Sequence, residues 1–203
     1  MKAINFKCII SILFVIILLF ASFKLATRDE VVNYFGLPET IVFNKHTYKL
    51  SWSSHPTDSY YKEEYLLKGD KADTFNDMIL IDFVQGNFTV KDAVLVQEAK
   101  IKERKKTDKI CNYQLLSKAD NSEFMLDFLM GEQSDNTVNL LEWSAYHYTA
   151  YTDKAGHKGV LLFGICHRAY GDETGGFLRS LLDYRHTQMK ALNAYTVPEI
   201  QVK

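Results

Sequence analysis

Along this chain the apolar positions change their spacing several times, and each change marks an element. Residues 8–23 read Cys-Ile-Ile-Ser-Ile-Leu-Phe-Val-Ile-Ile-Leu-Leu-Phe-Ala-Ser-Phe, uncharged and without a polar side. A helix apolar all round belongs in a bilayer or a deep core. From residue 41 the period falls to two: Ile41-Val42-Phe43, Asn44-Lys45, then residues 47–52 predict a hairpin with Tyr48, Leu50 and Trp52 on one face. Residues 53–58, with Pro56 and Asp58, predict a loop, and residues 61–67 a strand. Residues 73–78 suit a short capped helix and residues 78–84 a strand, a choice propensity leaves open.

After Gln85-Gly86-Asn87, Thr89 is placed to cap a helix to about Lys106, with Val90, Val94 and Ile101 on one side and charges on the other. Residues 112–117, 123–130, 139–151 and 158–170 follow as four strands in a row, which implies an antiparallel meander. A turn at Lys154-Ala155-Gly156 sets the register of the last pair. Trp143, Ala145 and His147 then share a face with His167, Ile165 and Phe163, made apolar by Leu141, Leu161 and Trp143, while Glu142 lies opposite Arg168 on the other face. Phe177, Leu178, Leu181, Leu182, Met189 and Leu192 recur at helical spacing after Asp172-Glu173-Thr174, so residues 174–195 predict a helix that covers the sheet.

These elements add up to an α+β fold: an antiparallel sheet packed by an amphipathic middle helix and a C-terminal helix, preceded by an N-terminal hydrophobic helix. The expected divisions are a signal-anchor or transmembrane segment at 1–24, a tether at 25–39 ending in Gly36-Leu37-Pro38, a single domain at 40–197 and a C-terminal tail at 198–203.

The sixteen apolar residues fall between the about 20 of a spanning helix and the about 7–15 of a signal-peptide core. Small-residue cleavage patterns are poor, since Leu19 stands two places before Ala21, Phe20 before Ser22 and Lys24 before Ala26, which favours an uncleaved anchor. Lys2 and Lys7 before the apolar run, against Lys24 and Arg28 after it, favour the amino terminus inside. The domain is then expected on the extracytoplasmic side, periplasmic or outer, with the membrane as a partner through residues 8–23. The 24 basic and 25 acidic residues nearly cancel, so nothing draws the domain toward nucleic acid. Cys8 lies in the leader, leaving Cys111 and Cys166 to pair or, as is favoured, to pack as two separate thiols.

Candidate chemistry is sparse. His46, His55, His147, His157, His167 and His186 show no ligand spacing, and the register above holds His147 and His167 about 13 Å apart, so no metal is expected. Cys166 and His167 point to opposite faces of one strand, which argues against a nucleophile and base pair. No GxSxG, GxxxxGK[ST] or GxGxxG occurs, and no catalytic residue or cofactor is assigned. The basic run 100–106 could meet anionic headgroups, but cations at a helix C-terminus more simply complement its dipole. Asn87-Phe88-Thr89 fits a glycosylation triplet. Trp52, His55, Tyr60, Tyr61 and Tyr65 gather around the Pro56 segment and are the candidate partner-binding residues, rings with polar handles that suit recognition. Tyr146, Tyr148 and Tyr170 are expected on the less apolar sheet face.

The element order, a strand pair, a connecting amphipathic helix, a meander and a closing helix, resembles the Mog1/PsbP-like α/β/α sandwich over most of residues 40–195. Tyr60-Tyr61-Lys62-Glu63-Glu64-Tyr65-Leu66, Gly69-Asp70 and Phe75-Asn76-Asp77-Met78 resemble segments of uncharacterised exported bacterial envelope proteins. Neither likeness carries a catalytic residue; the first implies a binding or assembly module. The leading expectation is a non-enzymatic, membrane-tethered envelope domain that binds a protein or another ligand. A small extracytoplasmic hydrolase is the alternative, and protection from a toxin or protease by occlusion a third.

Overall fold

The computed structural model describes residues 31–134 and 137–203, within the compact unit Val31–Lys203. The hydrophobic leader expected at 1–24, and the tether as far as residue 30, lie outside the described residues. The chain runs β1 Thr40–Phe43, β2 His46–Thr57, β3 Tyr60–Leu67, β4 Asp77–Gln85, α1 Val90–Arg104, β5 Asn112–Ser117, β6 Glu123–Ser134, β7 Thr137–Thr152, β8 Lys158–Tyr170, a 3₁₀ turn Gly171–Glu173 and α2 Thr174–Ala194. The strands form one open antiparallel sheet in the order β1-β2-β3-β4-β8-β7-β6-β5. Two four-stranded meanders are thus joined at β4 and β8, and α1 carries the chain from the seam to the far edge.

Each face has its own core, which is why the seam strands are apolar on both sides. Ile79, Ile81, Phe83, Phe163 and Ile165 bury toward α2, whereas Met78, Leu80, Leu162 and Cys166 bury toward α1. The α1 helix begins as its sequence dictates: Thr89 Oγ1 accepts from Asp92 N at 3.1 Å, Thr89 N donates to Asp92 Oδ2 at 2.9 Å, and Val90, Val94 and Ile101 are buried. The β7–β8 register is the expected one, with Trp143 opposite His167, Ala145 opposite Ile165, His147 opposite Phe163, and Glu142 opposite Arg168. Arg168 Nε donates to Glu142 Oε2 at 2.6 Å. Asn44 and Lys45 both have positive φ, 44° and 70°, as a tight two-residue hairpin requires.

Four expectations are corrected. Residues 53–58 are not a loop, because β2 continues to Thr57; Pro56 is accommodated at an irregularity between Ser54 and Thr57, where a missing N–H breaks no ladder bond. Trp52 does not share the face of Tyr48 and Leu50. A bulge between Leu50 and Trp52 places Leu50 opposite Tyr65 and Trp52 opposite Glu64, and the extra residue inverts the alternation. On α2, Leu178 and Leu182 are 47% and 74% exposed, and the buried face runs through Phe177, Gln188 and Leu192 instead.

The fourth correction concerns both ends of the domain. Gly36, at φ 64°, turns the chain so that Phe35 and Leu37 enter the core, so the domain starts near Tyr34 rather than at residue 40. The tail at 198–203 is likewise built in: Ile200 and Val202 are buried, Gln201 N donates to Phe35 O at 2.9 Å and Lys203 N to Tyr34 O at 3.1 Å.

Under this clasp lies Glu63, fully buried, which accepts from Phe35 N at 3.1 Å and from the Tyr65 hydroxyl. Burial pushes its carboxyl above the ordinary range, against the pull of those two donors. A raised folded-state pKa contributes stability while the group is protonated, and the contribution is lost as pH rises through that value. Glu63→Gln, which keeps an acceptor for Phe35, is therefore expected to gain stability relative to the parent from mildly acidic to neutral pH. Urea midpoints across that interval check it; a difference that stays flat would show that Glu63 titrates as in the unfolded chain.

Candidate functional site

The bulge in β2 and the strict alternation of β3 decide where the aromatic candidates lie. Tyr65 is fully buried on the α2 face and Tyr61 nearly so, both inside the core. His55 remains exposed at the rim of that face, stacked on Tyr61 at 4.0 Å between centroids, with Nδ1 3.0 Å from Tyr60 O. Trp52 and Tyr60 are half-buried on the opposite face. The five residues therefore divide between the two sides of the sheet, because a strand sends neighbours to opposite faces and the bulge carries Trp52 across.

What Trp52 and Tyr60 join is a polar cluster on the α1 face. Lys62 Nζ lies 5.5 Å from the centroid of the Trp52 ring and 2.7 Å from Glu64 Oε1, with Lys62 and Glu64 side chains 24% and 18% exposed. Lys62 is the cross-strand neighbour of Asp82, whose Oδ2 accepts from the Tyr60 hydroxyl at 2.7 Å. The other carboxylate oxygen, Asp82 Oδ1, is sealed from solvent and has no hydrogen-bond partner among the described residues. Burial raises the Asp82 carboxyl above its ordinary range, although Lys62 and Tyr60 oppose this. Lys100 of α1 stands within electrostatic reach of Asp82, and burial lowers its pKa.

Two phenols from β7 lie on the same face. Tyr146 and Tyr148 project over β8, their rings 6.3 Å apart, as expected for the less apolar face. Burial drives both hydroxyls well above their usual pKa. Gly164 makes this reach feasible. A Cβ there would stand 2.6 Å from Tyr146 Cδ1 and 3.1 Å from Leu80 Cγ. Gly164→Ala is accordingly expected to displace the Tyr146 ring and to cost about 1–3 kcal/mol, read from denaturant midpoints. An unchanged midpoint would mean that the ring has room to spare.

A second cluster looks more like chemistry and offers less of it. On the α2 face His167 Nδ1 lies 2.9 Å from Asp77 Oδ1, to which the Tyr184 hydroxyl also donates at 2.7 Å. His167 is stacked between Tyr184, at 4.2 Å, and Phe177, at 5.1 Å. Burial would raise Asp77, but the hydrogen bonds from His167 and Tyr184 outweigh it and hold the carboxyl below its ordinary range. A base and its orienting acid are present. Among the described residues, however, no serine, threonine or cysteine side chain is hydrogen-bonded to His167, and Cys166 points to the other face.

Several other polar groups are satisfied within the fold, although Asn33 Oδ1 is also buried without a partner among the described residues. Asp127 takes both Arg185 Nε and Nη2 and, at 3.2 Å, the Trp143 indole N–H. Two surface hollows, of about 330 Å³ and about 410 Å³, border Lys154 with Glu199 and Arg104 with Asp108, ion pairs of 3.3 Å each. Cys111 and Cys166 are separate buried thiols, raised by burial. No trio of His, Cys, Asp or Glu side chains among the described residues is grouped as ion ligands would be. No helix among them is long and apolar enough to cross a membrane.

A protein-family model matches residues 35–197. The chain belongs to that family. Its first matched residue, Phe35, is buried, as is Leu37. No curated protein and no solved structure matches the chain. The family match supplies no activity, so the polar cluster itself has to carry the functional argument.

Sequence reasoning reached Trp52, Tyr60, Tyr146 and Tyr148 by their ring chemistry, and missed Lys62, Asp82 and Lys100. An isolated aspartate inside the apolar run Met78-Ile79-Leu80-Ile81-Asp82-Phe83-Val84 was the available signal, since a carboxylate in a central strand needs a reason.

Proposed function

We propose that this chain is a non-enzymatic binding domain, tethered to a membrane through residues 8–23 and displayed on the extracytoplasmic side, which takes its ligand on the α1 face at the polar cluster of Trp52, Tyr60, Lys62 and Asp82, flanked by Tyr146 and Tyr148. One observation carries the reading: a sealed carboxylate oxygen without a partner among the described residues, Asp82 Oδ1, lies across the ladder from Lys62, whose ammonium sits against the half-exposed Trp52 ring. Folded proteins seldom leave such a group unpaired, and a ligand or bound water is a usual recipient. The charge-free leader supports the tether. A helix on each face of an antiparallel sheet is the layering that a Mog1/PsbP-like binding module would have.

The test is affinity capture from detergent-solubilised membranes with the full chain as bait, comparing the parent with Trp52→Ala and with Tyr148→Phe. The parent is expected to retain a partner or ligand that both variants lose by about tenfold, the size of one good aromatic or hydrogen-bonding contact. Equal retention by all three would overturn this face as the site. For the tether, a reporter enzyme active only in the cytoplasm and fused after Lys203 should stay inactive; full activity refutes the orientation.

The Asp77–His167 pair gives the hydrolase alternative its one point of support. Turnover of a panel of ester and peptide substrates that disappears in His167→Ala would favour it over the binding reading.

A further inference from the structure

We propose that two copies of this chain join edge to edge through β5, their Asn112–Ser117 strands paired antiparallel across a twofold axis. Among the described residues β1 and β5 end the open sheet, and an edge strand turns half of its backbone N–H and C=O groups outward. Folded chains usually blunt such an edge with a charge, a proline, a bulge or a short strand. β1 is short, four residues between Glu39 and Lys45, and Tyr195 packs on its Phe43 with centroids 5.5 Å apart. The six residues of β5, Asn-Tyr-Gln-Leu-Leu-Ser, carry no charge and no proline, and pair with β6 in unbroken register from Asn112 opposite Leu129 to Ser117 opposite Phe124. None of the six is buried.

Exposed apolar side chains gather along this edge. Gln114 accepts from Arg185 Nη2 of α2, so the α2 face of β5 carries Gln114 and, two places on, Leu116, which is 44% exposed and opposite Met125. Arg185 reaches Asp127 on β6 and Gln114 on β5, and so marks the flank of α2 that is turned toward the edge. Leu178 and Leu182, the two exposed leucines of α2, lie within about 60° of Arg185 around the helix, on the side away from the buried Phe177 and Gln188. Three exposed leucines from two elements thus border one uncharged edge, which is more than the usual scatter of single surface apolar groups. On the other face the edge meets Glu98 of α1, which accepts from the Tyr113 hydroxyl and pairs with Lys102 at 2.9 Å, so the apolar seam lies on the α2 side.

The occupant follows from what has to be covered. An added peptide strand would satisfy the β5 backbone and leave Leu178 and Leu182 in water. A second copy brings its own α2, because a twofold axis perpendicular to the sheet keeps both α2 helices on one side, facing each other across the joined strands. The faces of the two strands match when the axis meets β5 at a residue, Gln114 or Leu115, and either choice sets Leu116 against an uncharged polar side chain of the second copy. The ends of the strand are complementary as well. Lys109 precedes it and Asp120 follows it, both exposed, and antiparallel pairing brings the basic end of each copy to the acidic end of the other.

Sedimentation equilibrium of the full chain in detergent, over a wide range of concentration, tests the proposal with three surface substitutions. The parent is expected to dimerise in the micromolar range. Leu116→Lys, which charges the edge, and Leu182→Lys, which charges the α2 flank, should each weaken the dimer about tenfold or more. Val42→Lys on the β1 edge should leave it unchanged. All three positions are exposed, so the melting temperatures of the variants should stay with the parent's. A parent that stays monomeric at every concentration overturns the proposal, as does a dimer that all three variants retain or that only Val42→Lys weakens. Weakening by Leu116→Lys without Leu182→Lys would overturn the part given to α2 and reduce the interface to the strands. None of these positions belongs to the polar cluster around Trp52, so either reading can fail alone.

Discussion

Ending the chain at Pro198 is expected to destabilise the domain by about 4–6 kcal/mol, a large share of the about 5–15 kcal/mol that holds an ordinary domain together. Ile200 is fully buried and Val202 nearly so, and each aliphatic side chain of this kind stabilises by about 1.5–3 kcal/mol. The loss does not stop at apolar area. Val202 N donates to Asp153 Oδ2 at 3.0 Å, and that buried carboxylate, otherwise held by His157, loses a donor it needs. Ile200 N donates to the Tyr151 hydroxyl at 3.1 Å, and the backbone bonds to Tyr34 and Phe35 go too. Thermal melts of the full and shortened chains should differ by roughly 10–20 °C. A difference of only a degree or two would mean that the clasp is peripheral. The paired change Ile200→Ala with Val202→Ala, which keeps the backbone bonds, isolates the apolar share of the effect.

That clasp shows where reading the sequence ran out. Residues 198–203 carry a proline, two charges and only two apolar side chains, and no periodicity could distinguish them from a frayed end. Their burial depends on where Tyr34 and Phe35 lie, across the whole chain. The same holds for Gly36-Leu37-Pro38: such residues mark a turn, but whether it belongs to a linker or folds Phe35 under the sheet is set by Glu63, which receives the Phe35 N–H. By contrast, the β7–β8 register followed from one turn position and a two-residue period, and α1 from Thr89 and its apolar spacing, because both are fixed locally.

The polar cluster on the α1 face was half legible. Tyr146 and Tyr148 fell on the less apolar face as alternation requires, but Trp52 was assigned to the wrong side of the sheet, because a bulge adds a residue without leaving a signature in composition. On α2 the apolar letters overstated the buried face. Tyr184 and Gln188 turn inward through hydrogen bonds to Asp77 and from Asn44, leaving Leu178 and Leu182 to solvent. Polar partners far along the chain decided which side of the helix was covered.

Gly159→Ala should have the other large effect, because Gly159 stands on the seam that makes two meanders one sheet. It pairs with Gln85 of β4 on one side and Tyr151 of β7 on the other. A Cβ there would press into the Val84 carbonyl oxygen and lie 2.9 Å from Gln85 Cα, and both obstacles are backbone, which cannot swing aside as a side chain would. Relief requires β4 and β8 to part where Gly86 N donates to Lys158 O at 3.0 Å. The expected loss is about 3 kcal/mol or more, at the upper end for overpacking. Gly176→Ala is the matched control. That glycine lies in the first turn of α2 with only Arg179 Nη2, at 3.9 Å, near its missing Cβ, so the same added methyl should stabilise by about 0.5–1 kcal/mol through reduced backbone entropy. Denaturant midpoints moving in opposite directions for the two variants would establish Gly159 as a close approach the sheet requires; a shared direction would remove the seam from any special role.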